Sequence, residues 1–108
     1  MITKSDTFIR ANLLRVFDLV VATDTVEQVF IRGGDYFLNV AKDGGYDARM
    51  IMRRYNSPPS VSDTTAFLND FDVRAISIPS GADQSVIDAA NAAGVVVELH
   101  GVARQSNA

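Results

Sequence analysis

The chain contains no cysteine and no tryptophan, and it has only three prolines and one histidine, His100. Without cysteine it can form neither a disulfide framework nor a thiolate zinc site, and it has no cysteine nucleophile. A lone histidine also supplies too few ligands for the usual zinc sites. These absences remove the usual signature of a small secreted domain and exclude the common zinc modules.

Long apolar runs and a basic charge excess are missing as well. The longest apolar runs, around residues 19–22 and 94–97, are far shorter than the roughly 20 residues that cross a membrane. The first residues do not combine a charged segment with an uninterrupted apolar one, as a secretory signal does. The net charge is −3, which disfavours a dedicated non-specific nucleic-acid binder. We therefore expect a cytoplasmic protein without membrane association.

The length and composition are those of one globular domain. The chain has 108 residues, of which 47% are hydrophobic, enough to form one core. No repeat, low-complexity run or linker divides it. We expect a single domain over residues 1–108, with a polar tail that frays from about residue 101.

The first half predicts one helix and three strands. A broad apolar stripe at helical spacing indicates a helix over residues 6–22. Three runs rich in branched and aromatic residues then follow, separated by short glycine and aspartate clusters, which is typical of an antiparallel meander. The predicted strands cover residues 26–32, 36–42 and 46–55.

The second half predicts a helix and a parallel unit. Pro58 and Pro59 mark a loop, and Ser60 or Ser62 then caps a helix that ends near residue 70. A strand over residues 73–78, a helix to residue 93 and a strand over residues 95–99 form a right-handed β-α-β unit. The predicted fold is therefore α/β or α+β, with one mixed sheet and the order α-β-β-β-α-β-α-β.

This order resembles the core of the restriction-endonuclease-like superfamily, the PD-(D/E)xK nucleases. The resemblance lies in the topology and in the segment over residues 73–99, where an apolar strand, a polar turn, an alanine-containing helix, a glycine and a second apolar strand follow one another. It implies two carboxylates that hold Mg²⁺ or Mn²⁺ for phosphodiester cleavage. The matching positions are Asp35 for the first carboxylate, Asp47 for the second, and Arg49 where the family has lysine.

The catalytic interpretation has a simpler alternative at each of these positions. Asp35 and Asp47 lie beside the glycine turns, where aspartate is common for conformational reasons. Arg49 cannot readily take part in proton transfer, because arginine stays charged. We therefore expect that no cofactor is required, and we keep a divalent-metal nuclease as the alternative.

Arginines near the end of the third predicted strand form a candidate binding patch. Strand alternation places Arg49, Arg53 and Tyr55 on one face and Arg54 on the other. The cations could contact phosphates while the tyrosine stacks on a base, or they could face an acidic partner protein. The alternative is a solvated sheet face whose charges discourage edge association.

Two further positions carry weaker signals. Ser80 and Gly81 follow a predicted parallel strand and begin a helix, where anions bind, but Ser80 with Asp83 also fits a capping box. His100 shares a strand face with Glu98, so the two could pair or hold a metal, but the histidine more simply marks the end of the last strand.

The sequence contains no complete catalytic constellation. We therefore expect a non-catalytic interaction or regulatory module of phage or mobile-element character that binds another macromolecule. A protein partner or self-association is favoured over nucleic acid. The alternative is the metal-dependent nuclease described above.

Overall fold

The computed structural model describes residues 4–101, with side chains from Phe8 onward. Over these residues helices and short parallel strands alternate, beginning with a helix. Two single 3₁₀ turns, Val26–Gln28 and Ala48–Met50, precede the first and second strands. The elements in chain order are α1 (Lys4–Ala22), β1 (Ile31–Gly33), α2 (Asp35–Gly44), β2 (Ile51–Arg54), α3 (Val61–Asp70), β3 (Ala75–Pro79), α4 (Gln84–Ala92) and β4 (Val96–His100).

The four strands form one sheet in the order β1-β2-β3-β4, and every neighbouring pair is parallel. The α/β class, the single sheet and the parallel β3-α4-β4 unit are confirmed. The predicted antiparallel meander is wrong, because a helix replaces its second strand. A parallel pair needs a crossover connection, and α2 provides the one between β1 and β2.

The segment over residues 36–42, predicted as a strand, lies within α2. Its apolar residues fit both the two-residue period of a strand and the 3.6-residue period of a helix. In the structure, Leu38 and Ala41 are fully buried at helical spacing, while Asn39 and Lys42 are exposed. Gly45 then ends the helix at a φ of 74°, and its N–H donates to the carbonyls of Ala41 and Lys42. The glycine cluster therefore terminates a helix rather than turning a hairpin.

The other two predicted strands of this region are shorter than expected. Residues 26–32 begin with a 3₁₀ turn and enter the sheet only at Ile31. Residues 46–55 also contain a 3₁₀ turn, Ala48–Met50, and enter the sheet only at Ile51. Arg49 consequently lies before β2 and is not a strand residue.

All helices of the described chain lie on one side of the sheet. Right-handed crossovers between successive neighbouring strands place α2, α3 and α4 on the same face. Helix α1 packs on α2 and on the segment that follows it, where the ring centroids of Phe17 and Tyr46 lie 5.2 Å apart. The core lies between sheet and helices, and Phe17, Ile51, Ile76 and Ile78 are fully buried there.

The opposite face of the sheet, here called the bare face, carries no helix of the described chain. Strand register and alternation assign its residues, because Arg54 pairs with Ser77, Ser77 pairs with Glu98, and Arg32 pairs with Met52. The bare face consists of Arg32, Met52, Arg54, Ala75, Ser77, Pro79, Val96, Glu98 and His100.

The predicted tail lies outside the described residues except for Gly101, which forms a bend after β4. In the described part of the chain, no helix combines the length and the apolar character needed to cross a membrane.

Candidate functional site

Several of the candidate residues meet at the carboxyl end of the sheet. Because all four strands are parallel, their carboxyl ends lie at the same edge, where open α/β sheets commonly bind ligands. Asp35 follows β1, Arg53 lies near the end of β2 and Tyr55 directly follows that strand. Ser80 follows β3, and His100 ends β4. This edge brings together candidate residues from several elements of the described chain.

Arg53 is held between a carboxylate and an aromatic ring. Its Nε donates to Asp35 Oδ1 at 2.8 Å, and its guanidinium carbon lies 3.9 Å from the centroid of the Tyr55 ring. The predicted common face of Arg53 and Tyr55 is confirmed. Burial raises the pKa of the Tyr55 hydroxyl, while the nearby Arg53 charge acts in the opposite direction. The ring therefore stays neutral and already has a cation on its face.

A cleft of about 350 Å³ opens beside this pair, on the helical side of the sheet. Asp35 and Asp63 provide two carboxylates against the single guanidinium of Arg53, so the cleft has no surplus positive charge. This balance disfavours a phosphate ligand in the cleft. Its walls are Asp35, Arg53, Tyr55, Ser57, Pro58, Pro59, Asp63 and Phe67.

Arg54 and His100 lie at the same end of the sheet but on the bare face. His100 Nε2 lies 2.8 Å from the carbonyl oxygen of Tyr55, to which it donates, and this contact fixes the ring over the end of β3. Arg54 is exposed, and its side chain contacts Asn56 at 3.4 Å. Among the residues that the structure describes, Arg54 has no acidic partner.

A polar bridge crosses the bare face. Arg32 on β1 and Glu98 on β4 form an ion pair with an N–O distance of 2.6 Å. The other carboxylate oxygen of Glu98 accepts from the Ser77 hydroxyl at 3.0 Å, which satisfies a fully buried polar group on β3. These side chains shield Met52, which is only 4% exposed although no helix covers it. The bare face is thus a polar surface over a small apolar floor.

Arg49 and Asp47 lie at the opposite, amino-terminal end of the sheet. The Asp47 side chain caps the 3₁₀ turn by accepting from the Arg49 backbone N–H at 2.9 Å. Arg49 pairs with Glu27 at 2.6 Å and with Asp72 at 3.3 Å. Hydrogen bonding from Arg49 holds the pKa of Glu27 below its ordinary value, and the same bond raises the pKa of Arg49. Asp47 and Arg49 therefore both have structural roles at this end of the sheet.

The predicted metal pair is therefore not assembled. Asp35 follows the carboxyl end of β1 and Asp47 precedes the amino end of β2, so the length of the sheet separates them. The structure brings Asp35 to Arg53 and brings Asp47 to its own turn. Over the described range, no group of three or more histidine, aspartate or glutamate residues is placed to hold a metal ion.

The predicted arginine patch is also dispersed. Arg49 lies at the amino-terminal end, Arg53 lies on the helical side, and Arg54 lies on the bare face. Arg49 and Arg53 are each neutralised by acidic partners. The pattern predicted their alternation correctly from residue 53 onward, but it could not show that the strand begins after Arg49.

Ser80 and Gly81 do not begin a helix. Helix α4 starts at Gln84 with Asp83 as its N-cap, and the Asp83 side chain makes no capping hydrogen bond. The predicted capping box is wrong, because a turn over residues 80–82 separates β3 from the helix. The Ser80 N–H instead donates to the carbonyl of His100 at 3.1 Å and thereby ties the ends of β3 and β4 together.

Sequence reasoning missed Arg74, which organises the amino-terminal end. Its guanidinium donates to the backbone carbonyls of four residues, and it also stacks on Phe30 with the guanidinium carbon 4.2 Å from the ring centroid. An arginine directly before a strand gave no signal of this role, since its partners lie 25 to 48 residues earlier in the chain. The four carbonyls belong to Val26, Glu27, Val29 and Arg49.

Comparison with known proteins adds no relative. No protein-family model, curated protein or solved structure matches this chain significantly.

Proposed function

We propose that this chain is a non-catalytic interaction module that binds another macromolecule through the bare face of its sheet. The observation that carries the proposal is the bare face itself. Parallel sheets occur almost only where both faces are covered, and in the described chain one face has no cover. A binding partner supplies the second cover.

The chemistry of the bare face fits an interface. Val96 is 66% exposed on it, while Met52 and Ala75 are already buried beneath the polar side chains of Arg32, Arg54 and Glu98. Arginine is enriched at protein interfaces, where its apolar stem packs and its guanidinium donates several hydrogen bonds. The surface therefore offers one exposed apolar side chain, Val96, together with directional polar contacts.

The charge distribution favours a protein partner over nucleic acid. Two bare-face arginines face one glutamate, and the whole chain carries a net charge of −3. Nucleic-acid binding draws on several unpaired cations that displace counterions from phosphates. Arg32 is paired with Glu98, so Arg54 is the bare-face guanidinium left without an acidic partner among the described residues.

Site-specific photo-crosslinking tests the proposal. A photoreactive amino acid replaces Val96 on the bare face in one variant and Val61 in the other, which is exposed on the helical side. The tagged variants are irradiated in an extract of the source cells and at high concentration after purification. We expect a discrete crosslinked protein from position 96, and we expect that the identified partner binds the Arg54→Asp variant at least about tenfold more weakly by calorimetry.

Position 61 is the matched control, because it is also an exposed valine. Equal crosslinking from both positions, or none from position 96 in either setting, would contradict an interface on the bare face.

A labelled 20-nucleotide duplex tests nucleic acid as the alternative partner. Tight binding of this duplex at physiological salt, abolished by Arg54→Asp, would replace the protein partner with nucleic acid.

A further inference from the structure

The sheet ends in two open parallel edges. β1 and β4 each have one neighbour, so each presents unpaired backbone N–H and carbonyl groups over the described residues. The strand order follows the chain order, so β1 of a second copy can continue the sheet beyond β4 in the same direction. A closed barrel is the arrangement that removes both edges.

We infer that a second copy of this chain occupies the bare face and that two copies close into one eight-stranded parallel barrel. In this twofold pair, β4 of each copy lies beside β1 of the other. Eight parallel strands with helices outside form a barrel, and side chains fill the interior of such a barrel. The inference rests on the proposed function, because it names a second copy as the macromolecule that covers the bare face.

Apolar groups at the two edges complement each other. A hollow of about 330 Å³ opens on the helical side at the β1 edge, between α1 and α2, and its walls are almost entirely apolar. At the β4 edge, Leu99 points to the helical side and is 43% exposed. Closure places Leu99 at this hollow in the other copy. The hollow is lined by Phe8, Ile9, Asn12, Leu13, Val16, Ile31 and Phe37.

Charges at the two edges are complementary as well. Arg32 on β1 and Glu98 on β4 lie on the same face, and within one copy they meet only by reaching across two intervening strands. Neighbouring strands lie about 4.8 Å apart, so the backbones of β1 and β4 are roughly 14 Å apart within a copy. In the pair, Glu98 lies one strand from the partner's Arg32. Closure therefore shortens the reach of the same ion pair.

Pairing also completes the carboxyl-terminal end of the sheet. One copy contributes Arg54 and His100 at this end of its bare face, and closure brings two of each around a single opening. In (β/α)₈ barrels this opening is where ligands and substrates bind. A barrel of two copies thus has a polar mouth that a single copy lacks.

Charge reversal with mixing tests the inference. We expect the wild-type chain, 11.7 kDa, to show twice this mass by light scattering at about 100 µM. Arg32→Glu places two carboxylates at each junction, and Glu98→Arg places two cations there, so each variant alone should dimerise at least about tenfold more weakly. Mixed together, the two variants have opposite charges at both junctions and should form a dimer again. An ion pair within one chain cannot explain this rescue, because each variant has like charges at its own positions 32 and 98.

Further variants separate loss of the interface from loss of folding. The double variant Arg32→Glu/Glu98→Arg keeps opposite charges everywhere and should dimerise like wild type. Leu99→Asp should prevent dimerisation with an unchanged circular dichroism spectrum, and Val61→Asp on the helical side should leave the dimer intact. A monomeric wild-type chain at 500 µM, or a dimer that neither Leu99→Asp nor the charge reversals weaken, would overturn the inference.

The outcome also separates this inference from the proposed function. A monomeric chain whose position 96 still crosslinks to another protein would overturn the pairing of two copies and leave the bare face as the interface. A monomer without any crosslink from position 96 would overturn both the pairing of two copies and the bare face as an interface.

Discussion

Arg32 and Glu98 lie on the two outermost strands of the sheet, yet their side chains meet at 2.6 Å across its bare face. Helices do not intervene, because every crossover connection runs on the other side. The ion pair is itself half exposed, with 55% and 38% of the two side chains accessible, so it contributes little to stability on its own. Its significance is its location, since it marks the face that we propose a partner covers.

Gly33 is required by close packing of an aromatic ring. A Cβ added there would lie 2.3 Å from the Phe37 ring, whereas a Cβ at Gly34 would meet nothing within 4 Å. We expect Gly33→Ala to lower the free energy of unfolding by about 1–3 kcal/mol, because Phe37 must move. Urea denaturation followed by circular dichroism measures the change. Gly81→Ala is the matched control, because a Cβ there also meets nothing within 4 Å, and it should change stability by no more than about 0.5 kcal/mol.

The same glycines explain where the sequence prediction failed. Glycine and aspartate at residues 33–35 and 43–45 indicate turns, and they do end β1 and α2. They cannot tell whether the apolar run between them is a strand or a helix, since residues 36–42 satisfy both periods. The choice depends on parallel pairing of β1 with β2, which is a contact between distant segments.

Elements with strong local signals were predicted well. Ser60, one of the two predicted caps, caps α3, and its hydroxyl accepts from the Asp63 N–H at 3.1 Å. β3, α4 and β4 were expected as a parallel unit because a short strand-helix-strand segment ending in an apolar run fits little else. For the site, alternation placed Arg53 and Tyr55 correctly. The partner of Arg53, Asp35, could not be found without knowing that α2 begins there.

Arg74 should be the most important single arginine for stability. Its side chain is only 17% exposed and donates to four backbone carbonyls, three around the first 3₁₀ turn and one in the second. We expect Arg74→Met to lower the free energy of unfolding by about 2–4 kcal/mol, because these carbonyls lose their donors. Urea titration measures the loss. Arg15→Met, at an exposed position of α1, should stay within about 0.5 kcal/mol of wild type, and an equal loss in both variants would contradict this role.

Glu27 should make the folded state sensitive to acid. The hydrogen bond from Arg49 holds the pKa of its carboxyl below the ordinary value of 4.5, so the folded state releases this proton more readily than the unfolded state does. The resulting stability is present at neutral pH and is lost as the pH falls below about 4.5 through the lower folded-state pKa. Between about pH 5 and pH 3, Glu27→Gln should therefore lose less stability than wild type in urea titrations.

One result would contradict this account of the pH dependence. The same pH dependence in wild type and Glu27→Gln would show that the amino-terminal ion pairs do not favour the folded state.

The most direct test of the bare face as the interface is the reactivity of a single cysteine placed there. Because the chain has no cysteine, Val96→Cys and Val61→Cys each introduce one unique thiol. Tagged chains are exposed to an excess of a thiol reagent in dilute solution, in concentrated solution and in cell extract, and mass spectrometry gives the modified fraction. If a partner covers the bare face, the rate of modification at position 96 should fall about tenfold or more in concentrated solution or extract. The rate at position 61 should stay the same. Equal rates at both positions under all three conditions would contradict it.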